Sequence, residues 1–170
     1  MKYLHFIPVV VLMIIAAATR FIPHPFNFTA IGALALFGGA NIRDKRLAFL
    51  LPLVVMFCTD LIIGFHRVMI PVYTSFILTV GVGILIQQRQ QIKNIAIASL
   101  SSSLLFFLIT NLPFWFGTRY SSTFAGAMES YTLALPFFAN QVAGDLFYNA
   151  VLFGAFALVK WRFPVLAKQN

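Results

Sequence analysis

Acidic side chains are almost missing from this sequence: Asp44, Asp60, Glu129 and Asp145 are the whole set in 170 residues. All charged residues together make up 9% of the chain. An ordinary soluble domain carries about 25%, so there is too little charge here to cover a water-facing surface. Cysteine is nearly absent as well. Cys58 stands alone, which excludes an intrachain disulfide and a multi-cysteine metal site; its place inside an apolar segment reads as a small packing residue. No Ser-His-Asp spacing, phosphate-binding glycine loop or His-Glu-x-x-His run occurs, so the corresponding hydrolase, nucleotide-binding and metalloprotease chemistries have no motif behind them.

What is there is apolar. Hydrophobic residues fill 61% of the positions and the mean hydropathy is +0.91. The net charge of +8 does not point to nucleic acid, because such proteins gather Lys and Arg on one soluble face. Here the basic residues sit singly at the ends of apolar blocks, where the positive-inside rule and anionic lipid headgroups account for them. The chain reads as a single transmembrane domain over 1–170, an all-α integral membrane protein. Its expected spans lie at about 3–19, 27–40, 47–65, 73–86, 95–116 and 133–159. The start, Lys2 followed by Phe6–Ala18, also has the form of a signal peptide; the apolar blocks that follow favour an uncleaved first span.

Counting Lys and Arg by joint sets an orientation. Both chain ends and the joints after an even number of crossings hold Lys2, Arg43, Lys45, Arg46, Arg89, Lys93, Lys160, Arg162 and Lys168. The other joints hold Arg20, Arg67 and Arg119. The bias predicts six helices with both termini cytoplasmic, in the inner (cytoplasmic) membrane. The second block, Asn27 to Ala40, is shorter than the roughly 20 residues a full span needs. Without its crossing, however, Arg43, Lys45 and Arg46 would fall outside and degrade the bias. Its small residues, Gly32, Ala33, Ala35, Gly38, Gly39 and Ala40, allow close packing. Leu51-Pro52 before Asp60 and Leu135-Pro136 before Asp145 form a weak internal echo, such as inverted repeats leave.

Asp60 and Asp145 are the two carboxylates inside expected spans. A charge there costs roughly 2.5–3.5 kcal/mol on insertion scales, so it faces protein or water rather than lipid. Gln141, Asp145, Tyr148 and Asn149 share one helix face by i, i+4, i+7, i+8 spacing, flanked by Asn140 and Gly144. Such a stripe must point inward, where it serves either interhelical hydrogen bonds or a small polar or ring-bearing ligand. The outer side collects Arg20, His24, Asn27, His66, Arg67, Tyr73, Asn111, Trp115, Arg119 and Tyr120. Arg20 or Arg67 is placed to pair with Asp60 or to meet an anionic ligand group. The three histidines lack metal-ligand spacing, and neither a metal nor a cofactor is implied. Ser99 and Ser101-Ser102-Ser103 read as a small-residue packing face.

Arg20, the run Pro25-Phe26-Asn27-Phe28-Thr29-Ala30-Ile31, the run Ala33 to Gly39, Leu51-Pro52-Leu53 with Asp60, Thr110-Asn111 with Trp115, and Leu135 to Phe138 with Asn140 and Asp145 resemble a bacterial family of small membrane proteins. That family is described only as candidate transport proteins of unknown function. More remotely, the size, six spans and outward polar pocket resemble the substrate-binding S components of energy-coupling-factor vitamin transporters. The resemblance implies capture of a small solute outside and docking on a separate transmembrane coupling protein with ATPases. The docking surface in that family is made of small residues on the first spans, which correspond here to Ala16, Ala17, Ala35 and Gly39. The His-rich start of a nickel or cobalt version is missing, which speaks against a metal substrate.

The expected function is therefore solute binding from the outer side, with Asp60, Asn111, Asn140, Asp145, Tyr148, Asn149 and Asn27 as ligand contacts and Arg20 and Arg67 at the mouth. Membrane lipids, the solute and the coupling protein are the expected partners. The alternatives are a membrane enzyme acting on a lipid-linked substrate through His24, His66 and Asp60, and a non-catalytic assembly subunit with a fully paired polar stripe and no cavity.

Overall fold

The computed structural model describes residues 6–164, and all regular structure among them is helical. Six α-helices follow in order: α1 Phe6–Ala18, α2 Ile31–Asn41, α3 Lys45–Ile63, α4 Met69–Leu85, α5 Ile92–Thr110 and α6 Phe124–Arg162, with short 3-10 turns at Thr19–Phe21 and Pro113–Phe116. Among the described residues, α3, α5 and α6 are each long and apolar enough to cross a membrane. At about 1.5 Å per residue, the 39 residues of α6 run to roughly 58 Å, against roughly 30 Å for a bilayer's hydrocarbon core. By the same rise, the 11 residues of α2 reach only roughly 16 Å.

Local chemistry explains where the helices depart from the expected blocks. α3 begins at Lys45 because the Asp44 carboxylate accepts from the backbone N–H of Arg46 at 2.8 Å and of Leu47 at 3.2 Å, a cap that contributes about 1 kcal/mol. α4 starts at Met69 rather than Tyr73: Pro71 lies in its first turn, where a missing N–H leaves no bond unmade. α5 stops at Thr110 instead of running on to Phe116, because Pro113 holds Leu112 in extended backbone. The largest departure is α6, which starts at Phe124 where a loop was expected up to Ser130. Gly126 permits this: its Cα faces the Ser121 backbone with no room for a side chain. Expected span residues 3–5 lie outside the described residues.

The bundle reverses the pattern of a soluble one. On α5, Ser99, Ser102, Ser103 and Thr110 are buried while Ile97, Leu100, Leu104 and Leu108 are exposed. On α3, Pro52, Met56, Thr59 and Asp60 face inward; Val54, Phe57, Leu61 and Ile62 form an outward stripe at helical spacing. Cys58 belongs to that outward stripe, so it does not pack in the interior as expected. Exposed apolar area on this scale is not what a soluble monomer presents.

α2 is the hub. Nearly every residue of it is buried, and it touches each of the other α-helices. Gly39 of α2 lies against the Val80 carbonyl of α4, and Gly83 of α4 against the Leu36 carbonyl, so the two backbones meet with no side chain between them. Ala16, Ala17 and Ala35 are buried too. The small residues expected at a docking surface are thus buried inside the bundle, where they let helices approach closely.

The two ends of the bundle differ in charge. Arg43, Lys45, Arg46, Arg89, Lys93, Lys160 and Arg162 gather at one, while Arg20, Arg67 and Arg119 are at the other. At the basic end, the Gln87 amide donates to the carbonyls of Gly39 (2.8 Å) and Ile42 (2.9 Å), and the Gln90 amide to that of Ala40 (2.6 Å). These glutamines cap the last turn of α2, whose carbonyls have no intrahelical partner.

Candidate functional site

At the Arg20 end, the 3-10 turn after α1 carries Arg20 across to the last turn of α3. Its Nη1 meets Asp60 Oδ1 at 2.7 Å and also donates to the Thr59 hydroxyl and, at 3.4 Å, to the Met56 carbonyl. The other carboxylate oxygen, Asp60 Oδ2, accepts from the Tyr73 hydroxyl at 2.8 Å. Three elements are therefore tied at one carboxylate that is only 3% exposed. Of the two arginines placed to pair with Asp60, the structure selects Arg20; Arg67 is exposed in the α3–α4 joint.

Beside this pair opens a cavity of about 300 Å³. Arg20, Asn27, Thr29, Asp60, His66, Thr110, Asn111 and Gln141 supply its polar wall, and Met56, Phe76, Phe106, Phe107, Phe116, Phe137 and Phe138 much of its apolar wall. The rings pack on one another, Phe107 on Phe138 at 4.5 Å and Phe76 on Phe106 at 5.5 Å between centroids. Asn27 reaches the cavity from an irregular stretch that Pro23 and Pro25 keep out of helix. The Phe28 N–H closes a turn on the Pro25 carbonyl at 3.0 Å, and Asn27 takes φ +63°, a left-handed conformation that asparagine tolerates better than most residues. Asn111 is held by its own bond to the Phe107 carbonyl, 2.8 Å, and its backbone carbonyl accepts from Ser130 of α6 at 2.8 Å.

A smaller recess of about 60 Å³ shares Asn27, Thr29, Phe76, Phe106 and Gln141 with the cavity and adds Gly32 and Asp145. Asp145 is 4% exposed. Its Oδ2 accepts from the Ser103 hydroxyl of α5 at 2.7 Å, and the Gln141 amide one turn earlier donates to the Ser103 carbonyl at 3.4 Å. Oδ1 lies against Gly32 of α2, where any side chain would collide with it. One turn on, the Asn149 amide donates to Ser99 at 3.0 Å. Four residues forward on α6 match four back on α5, the register of an antiparallel pair, so the polar stripe of α6 meets the serine face of α5.

The residues expected to bind ligand divide accordingly. Arg20, Asn27, Asp60 and Asn111 converge on the large cavity, and Asp145 on the recess. Asn149 lines a separate apolar groove between α5 and α6 at the other end. Tyr148 stacks on Phe28 at 5.7 Å between centroids and, with Asn140 and Arg67, lines neither cavity. Gln141 takes the place expected of Asn140, since one residue turns a helical side chain by about 100°. Thr29 and Thr110 entered the sequence reading only within the runs that carry the family resemblance, and Thr59 only as the neighbour of Asp60. His24 holds the Pro25 carbonyl at 3.0 Å and is absent from the cavity wall. No group of three His, Cys, Asp or Glu side chains among the described residues is gathered as a metal site.

Fold and site together define an all-helical protein with helices long and apolar enough to cross a membrane and a partly charged cavity at one end of the bundle. The chain belongs to DUF6580, a family of unknown function whose model matches residues 2–166. None of the curated proteins and none of the solved structures compared with the chain matches it.

Proposed function

We propose that this chain is an integral protein of the inner membrane that binds a small solute from the outer side and helps it across, in the manner of a transporter's substrate-binding component. The observation that carries this reading is the cavity of about 300 Å³, at the lower end of the range for small-molecule sites. It lies at the end of the bundle away from the basic joints, which the positive-inside rule assigns to the cytoplasm. Six crossings complete the reading. Three are α3, α5 and α6; α1 and α4 make two more; α2 makes the last together with the irregular 22–30 stretch. Non-helical backbone at membrane depth is tolerated where it lines a cavity, and Asn27 and Thr29 line one. With no nucleotide motif in the chain, the energy comes from a gradient or from a separate coupling protein with ATPases.

The cavity favours this reading over an assembly subunit with a fully paired interior. The position of His24 outside the cavity wall leaves the enzyme reading with less support. The test is native mass spectrometry of protein taken from its host membrane, beside an Ala134→Phe variant that fills the cavity, Ala134 being one of its buried wall residues. A small molecule should accompany the parent and be lost from the variant while the variant's thermal unfolding stays cooperative. The same molecule retained by a folded, filled variant would remove the cavity from the proposal.

A further inference from the structure

The charged groups facing the cavity and its recess do not balance. Arg20 and Asp60 cancel at 2.7 Å. His66 stands at the exposed rim. Asp145 is as buried as Asp60, yet no Lys, Arg or His among the described residues forms an ion pair with it; its hydrogen-bond partner is the Ser103 hydroxyl. An anion sealed among neutral groups is costly, and intramembrane carboxylates ordinarily have a partner. The recess in front of Asp145 is lined by Phe76 and Phe106 and by the polar side chains of Thr29, Asn27 and Gln141, with the larger aromatic-walled cavity sharing its wall. Aromatic faces and a carboxylate together suit an ammonium group, whose charge is attracted by both.

We propose that Asp145 is the seat of a protonated amine, so that the solute is a small organic cation: its ammonium group enters the recess and its ring-like body lies among Phe106, Phe107 and Phe138. This deepens the solute-binding reading and rests on it. Gly32 belongs to the same site, because only a glycine lets the carboxylate stand against α2.

The experiment measures binding of three probes of like shape to the purified full chain in nanodiscs: phenethylamine, its neutral analogue 2-phenylethanol, and phenylacetate. The amine should bind roughly tenfold or more tighter than the alcohol, the margin expected of a charge-assisted bond. Asp145→Asn, which keeps the shape and the Ser103 bond, should abolish that margin by bringing the amine's affinity down to about the alcohol's. Asp145→Glu serves as a second variant with the charge kept, and should retain part of the preference if it folds. Equal or tighter binding of the alcohol or the acid would overturn the cation assignment while leaving the solute reading in place. An amine preference that survives Asp145→Asn, or sodium or potassium chloride alone saturating the recess and excluding the amine, would also overturn it. If no probe of any charge binds, the cation assignment falls, and the solute reading is then decided by the Ala134→Phe comparison alone.

Discussion

Two aspartates of this bundle are equally buried and differently kept. Asp60, near the end of α3, has a guanidinium on one oxygen and a phenol on the other. Asp145, in the middle of α6, has the Ser103 hydroxyl on one oxygen and α2 backbone pressed against the other. The first is a knot: it ties the turn after α1 to α3 and α4, and its charge is cancelled where it stands. The second stands beside a recess with no cation paired to it among the described residues. A buried carboxylate therefore says little by itself about role; what decides is whether the fold also supplies its counter-charge.

The sharpest way to break this comparison is to remove one partner of the knot. Asp60→Leu leaves Arg20 without its anion and should cost about 3–5 kcal/mol of stability, read as thermal or denaturant unfolding in detergent. The double variant Arg20→Met, Asp60→Leu should recover most of that loss. If single and double variants are equally unstable, the two side chains are not coupled and the contrast with Asp145 collapses. Next in size is Gly32→Ala. The added methyl meets Asp145 Oδ1, and overpacking of this kind costs about 1–3 kcal/mol. Shortening the carboxylate in Gly32→Ala, Asp145→Ala should relieve it, and a Gly32→Ala protein of unchanged melting temperature would mean that α2 and α6 are farther apart than described. The smallest effect is expected one turn beyond, where Ser99→Ala removes the hydroxyl that accepts from Asn149. Interhelical bonds of this kind average about 0.6 kcal/mol, so a loss several times larger would show that the stripe, and not the knot, holds the bundle.

Much of the architecture was legible. Apolar blocks and their joints marked six helices, and the basic residues marked which ends lie together. The inward face of α6 followed from i, i+4, i+8 spacing, and Gln141, Asp145 and Asn149 are indeed among its buried polar residues. The errors have local causes. The loop expected before Ser130 is helix because one glycine fits against Ser121, a tertiary contact with no periodic signature. Cys58 and the alanines of α1 and α2 were assigned by residue type, whereas the rotation of each helix in the bundle decided which faced out and which in.

The sequence by itself determined that the chain folds as apolar helices with polar joints, and that the two carboxylates within those helices turn inward, because these depend on local hydrophobicity and helical period. Only the tertiary structure decided that Arg20 rather than Arg67 neutralises Asp60, that the α5 serines meet the α6 stripe, and that Asp145 is left without a cation. Ion pairs and hydrogen bonds act over a few ångströms between helices far apart in the chain, and those distances are set by how the helices pack around α2, which no spacing along the sequence records.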